Sequence, residues 1–62
     1  MDFLKRAQDY AAKRGDENWF AEIYSLYREW HNVEDSVRCA LNWLYDEDTA
    51  RLLKNQYWGP AL

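Results

Sequence analysis

His31 and Cys39 are the single histidine and the single cysteine of the chain. Together they are the residue types of a thiolate nucleophile and its imidazole base, a chemistry that needs sulfur and ring nitrogen within hydrogen-bond reach. Helical spacing argues against that meeting. Cys39 falls about 130–140° from the centre of the apolar stripe of its own helix, so it tends away from the preceding helix that carries His31. His31, beside Trp30 at a helix end, reads as a capping or dipole-compensating group. Cys39 reads as a small, semi-buried helix residue. One thiol permits no internal disulfide and fits a reducing compartment. One histidine and one cysteine exclude a two-histidine metal site and a zinc ligand set within the chain.

The run Asp46-Glu47-Asp48 is the other cluster with chemical content. Taken as a calcium loop starting at Asp46, it fails at two positions. The sixth is Arg51 where glycine is required, and the twelfth is Tyr57 where a bidentate glutamate belongs. With only Gly15 and Gly59, no phosphate-cradling loop can be built. The acids suit a helix N-terminus instead. A domain this small leaves little room for a water-excluding pocket of the usual ~300 Å³ or more. No catalytic residue, metal or cofactor is assigned, and a non-enzymatic protein is expected.

The elements that position these residues are all helical. No alternating strand pattern reaches four residues with β-branched support. A chain of 62 residues makes a single domain spanning 1–62. The spacing predicts an all-α fold, a small three-helix bundle with a short fourth C-terminal helix, with helices over about 2–14, 16–31, 33–45 and 48–57. The first has Phe3, Leu4, Ala7, Tyr10 and Ala11 on one stripe, with Ala7 and Ala11 small enough to receive bulky neighbours. Gly15 offers its left-handed stop, and Asp16 an N-cap for the second. Asn32 serves as a turn residue or as the cap of the third. The third helix places Val33, Val37, Ala40, Leu41 and Leu44 inward, with Glu34 and Arg38 paired at i,i+4. Running it on to Tyr57 would carry Glu47, Asp48 and Arg51 onto the core stripe, at a cost of several kcal/mol. A turn is therefore expected at Asp46-Glu47-Asp48, with Ala50, Leu53 and Tyr57 inside the last helix and a loose tail after Gly59-Pro60.

The second helix carries the feature that points to function. Four Trp, five Tyr and two Phe occur in the chain. Between Trp19 and Trp30 the positions Trp19, Phe20, Ile23, Tyr24, Leu26, Tyr27 and Trp30 fill an arc of about 160°. That exceeds what one neighbouring helix covers. Trp19, Ile23, Leu26 and Trp30, at i, i+4, i+7 and i+11, are expected in the core with Phe3, Leu41 and Leu44. The adjoining stripe of Phe20, Tyr24, Tyr27 and His31 suits a partner surface, because tyrosine combines an apolar body with a polar tip; packing against the first helix would instead consume it as core. Trp43, Tyr45, Tyr57 and Trp58 extend this candidate partner-binding set.

Charge weighs against the main rivals. The net charge is −3, neither the strong acidity of a nucleic-acid mimic nor the basicity of a phosphate-backbone binder. As a helix-turn-helix, the third helix would offer Glu34 and Asp35 where phosphates need cations. Nucleic acid is not an expected partner. A membrane surface is not either, since Glu22 and Glu29 oppose a lone Arg28 on the polar face of the second helix. The N-terminus reads without a secretory signal, no apolar run reaches the ~20 residues of a membrane span, and a cytoplasmic protein is expected. The leading expectation is a small regulator or inhibitor that occupies another protein's surface, with a homodimer as one form. In size and character it is similar to small phage and mobile-element proteins that block host enzymes, a likeness resting on no motif. The alternatives are a transcriptional accessory protein touching DNA through the basic side of the first helix (Lys5, Arg6, Lys13, Arg14), and a structural subunit or engineered mini-bundle.

Overall fold

Small side chains open the first helix to close packing. The computed structural model describes the backbone of residues 3–58 and the side chains of residues 3–55. In α1 (Phe3–Lys13), Phe3, Ala7 and Ala11 are buried, and Leu4 and Tyr10 lean on the same core. This is the stripe read from the spacing. Gly15 ends the helix at φ 80°. The Gly15 amide donates to the Ala12 carbonyl at 3.1 Å and the Asp16 amide to that of Ala11 at 2.8 Å, the bond pair of a Schellman motif.

The second helix, α2 (Glu17–Tyr27), buries Phe20 and Ile23. It is shorter than the 16–31 expected. Beyond Tyr27 the amides of Glu29 and Trp30 donate three residues back, to Leu26 and Tyr27, which tightens the chain into a turn. Arg28 Nη1 donates to the His31 carbonyl at 2.8 Å and Asn32 is extended, so the helix cannot continue. Asn32 caps α3 (Val33–Leu44): its Oδ1 accepts from the Asp35 amide at 2.8 Å. Val37, Ala40 and Leu41 of α3 are buried as expected, and Leu44 is half-buried. Val33 is exposed, contrary to expectation, and fully buried Ser36 takes the interior place one turn in. The Ser36 hydroxyl donates weakly to the His31 carbonyl at 3.4 Å.

The break before α4 (Glu47–Trp58) falls at Tyr45–Asp46, where Tyr45 has φ −126° and ψ −99°. Asp46 is the cap, its Oδ1 accepting from the Thr49 amide at 2.7 Å. The Thr49 hydroxyl, and after it this amide bond, hold the Asp46 carboxyl below its usual range. Ala50 and Leu53 face inward, while Glu47, Asp48 and Arg51 are exposed as the charge argument required. Arg51 reaches Glu47 at 3.8 Å and Asp48 at 3.5 Å. With 12 residues, as many as α3, α4 is a full member of the bundle and not a short appendage.

The described residues thus form an all-α bundle of four helices. α1 and α3 are its central pair: they touch each other, and each touches α2 and α4. Among the described residues α2 and α4 do not meet, so they flank that pair on opposite sides. Phe20, Leu41 and Val37 supply the bulk of the interior and Ala7, Ala11, Ala40 and Ala50 the gaps they fill, large into small. The α3–α4 seam is polar. Glu34 pairs with Lys54 rather than with Arg38, which turns to Glu47 at 3.9 Å. Asn42 Nδ2 adds a 2.6 Å bond to the Glu47 carboxylate. None of the helices of the described residues is long and apolar enough to cross a membrane.

Candidate docking surface

The wide apolar arc of α2 is divided in the opposite sense from the expectation. Phe20 is 1% exposed, Ile23 is buried, and Tyr24 and Tyr27 are half-buried against the core. The Tyr24 ring stacks on Phe20 with centroids 5.9 Å apart. The stripe assigned to the core is outside: Trp19 is 52% exposed, Leu26 61% and Trp30 82%, and only Ile23 of that stripe is buried. An arc of about 160° offers two choices of inward centre, and helical period alone does not distinguish them. The tertiary neighbours decide. α1 sets small Ala7 and Ala11 into the cluster that Phe20 fills. Once Phe20 is inside, Leu26 and Trp30 are rotated out, roughly 80–120° away around the helix.

The outward residues converge on a second element. Trp19 meets Trp43 of α3 edge-on, with ring centroids 5.8 Å apart and planes at 63°. Trp43 is itself 58% exposed. Ile23, Leu26, Tyr27, Trp30 and Trp43 line an open groove of about 320 Å³ along the α2–α3 seam. At about 150–250 Å² per aromatic side chain, the three tryptophans alone present on the order of 300–500 Å² of exposed surface. Patches of that size on small monomers are often functional.

The groove has an acidic edge. Helical spacing places exposed Glu22 about 40° from Leu26, on the side away from the core, and exposed Glu29 lies in the turn just past the end of α2. On α3, Asp35, Cys39 and Trp43 follow one another at i,i+4 along one ridge. The cations point elsewhere. Arg28 is bonded to the His31 carbonyl. Arg38, Arg51 and Lys54 serve the α3–α4 seam and α4. Arg14 lies over the rings of Tyr10 and Tyr45, 5.3 and 5.4 Å from their centroids. α1 and its lysines approach α2 from the other flank, where Gln8, Asp9 and Ala12 face Phe20 and Ala21 across a separate hollow.

The remaining candidate residues are dispersed. His31 is exposed in the α2–α3 turn, its ring tilted against Tyr27 at 5.9 Å. Partly buried Cys39 belongs to the α3 ridge. Tyr45 sits at the far end of α3, where its ring meets Tyr10 edge-on at 5.1 Å and its Oη donates to Asp16 Oδ2 at 2.7 Å. Burial, then the bond to Asp16 and that residue's charge, push the Tyr45 hydroxyl up to about 12. Asp16 therefore spends its carboxylate on this tertiary bond and makes no side-chain cap to α2, contrary to the reading of its position. The side chains of Tyr57 and Trp58, and the tail after them, lie outside the described residues. Among the described residues no group of three or more His, Cys, Asp or Glu is placed to hold a metal ion. The groove, then, joins Tyr27 and Trp43 of the expected partner set to three residues expected in the core, and sequence reasoning had no signal for that exchange. No protein family model, curated protein or solved structure matches the chain.

Proposed function

We propose that this chain is a small non-enzymatic interaction module, a regulator or inhibitor that acts by seating the α2–α3 groove on another protein. The observation that supports this reading is the exposure of Trp19, Leu26, Trp30 and Trp43 on one face of a domain otherwise able to bury Phe20, Val37 and Leu41 completely. Tryptophan is enriched at the energetic centres of interfaces, and solvent exposure of such rings carries no benefit to the fold itself. Burying them against a partner recovers roughly 25 cal/mol per Å² of apolar surface, before the costs of association. The test is affinity capture from lysate with the wild-type protein and with the double variant Leu26→Ser, Trp30→Ser, whose circular dichroism should match wild type. A stoichiometric partner held by the wild type and lost by the variant is expected. Retention of the same partner by the variant places docking elsewhere on the molecule.

A further inference from the structure

We infer that the occupant of the groove is a cationic amphipathic helix of a partner protein, with apolar anchors at i, i+4 and i+7 and Lys or Arg on its flanks; this rests on the docking reading above. Three features select it. The apolar residues run from Trp19 in the first turn of α2 to Leu26 in its last, about 10 Å along the axis, with Trp30 in the turn that follows. A parallel or antiparallel helix laid along that length offers anchors at the same spacing. The groove floor is Ile23 and Tyr27, and Leu26, Trp30 and Trp43 form its walls, a lining of rings and aliphatics with no charge. The edge beside Leu26 carries carboxylates, from exposed Glu22 of α2 and exposed Glu29 of the turn after it. The Arg28 guanidinium, in the turn after α2, donates to the His31 carbonyl. An occupant with flanking lysines or arginines gains attraction at that edge, and one with flanking acids meets repulsion.

A second copy of this chain fits less well on two counts. Two-fold pairing of α2 with itself, antiparallel along the groove, sets Glu22 of each copy near Glu29 of the other, like charge against like. The face is also limited: the tryptophans of two copies would contribute roughly 600–1000 Å², so a stable specific interface of about 1200–2000 Å² would have to recruit further surface. A single helix needs only its anchors covered.

The test uses two synthetic helices with the same Leu and Phe anchors, one flanked by lysines and its twin by glutamates. Binding is followed by amide and indole NMR shifts of the 62-residue protein, with sedimentation of the protein alone across concentration. The lysine helix should shift Leu26, Trp30 and Trp43, loosen with added salt, and weaken about tenfold on the exposed double reversal Glu22→Lys, Glu29→Lys. Equal binding of the glutamate twin, indifference to the reversal, or self-association that covers the tryptophans overturns the cationic occupant and leaves docking intact. If neither helix nor a second copy shifts these residues, the docking reading itself falls.

Discussion

Tyr45 ties the end of α3 to the α1–α2 junction, through its bond to Asp16 and its edge contact with Tyr10. Its hydroxyl titrates near 12, against about 10 in an unfolded chain. Between those values the folded state holds a proton that the unfolded state has lost, so the contribution is fully present below pH 10 and disappears as pH rises towards 12. Alkaline unfolding followed by circular dichroism should therefore steepen in that window. Tyr45→Phe should flatten it and cost about 1 kcal/mol at neutral pH for the missing hydrogen bond. Asp46 behaves in the opposite sense. Its carboxyl is held below the usual range by Thr49, so the stability it adds is present above that range and is lost as acid protonates it. Asp46→Asn should keep the cap and remove that part of the acid dependence. At the other helix start, Asn32→Ala should cost about 1 kcal/mol in a urea titration, because the Asp35 amide loses its acceptor. The sequence announced Asn32 and the acids at 46–48 as caps through residue type. It could not announce that Asp16 would abandon its capping place, because Tyr45 lies 29 residues away and only the folded chain brings the two together.

The helices were legible because each carries an apolar period, and α1 was legible in full because its stripe is narrow and borders charged residues on both sides. α2 was not, for the reverse reason. Its arc is wide enough to admit two inward faces, and the choice rests on Ala7 and Ala11 across the interface. Two substitutions separate the faces. Phe20→Ala should cost about 3–5 kcal/mol, enough to unfold a marginal small domain by melting analysis. Leu26→Ser with Trp30→Ser should stay within about 0.5 kcal/mol per site, since both are exposed. A fold lost on the second change would restore the original assignment. The end of α2 was misplaced by four residues because the turn is stabilised by Arg28 on the His31 carbonyl, a contact with no sequence period. Gly15 was readable from its place after Lys13-Arg14. Nothing lies within 4 Å of an added Cβ there, so Gly15→Ala should cost only the backbone strain of φ 80°, about 1 kcal/mol, measured by the same titration.

For the whole domain, the proposed partner would supply what size withholds. A chain near 60 residues buries only about 60% of its unfolded surface and is marginal by itself. Ligand at a hundred times its dissociation constant adds about 2.7 kcal/mol. In a domain of this size that should raise the melting temperature by upwards of roughly 10 °C, for the wild type with the lysine-flanked helix and not for the Leu26→Ser, Trp30→Ser variant. Composition foretold an aromatic surplus, and the bundle sets Trp19, Trp30 and Trp43 of that surplus on its outside. The pairing of Arg38 and Lys54 across the α3–α4 seam was beyond linear reading, since it depends on which pairs of helices adjoin.

That α2 and α4 stand on opposite flanks of the α1–α3 pair makes the last helix a natural handle. A dye, bead or fused tag joined at exposed Asn55 stands clear of the tryptophan-lined trough. Immobilisation there should preserve full capture capacity, whereas the same linkage at Glu22 should abolish it.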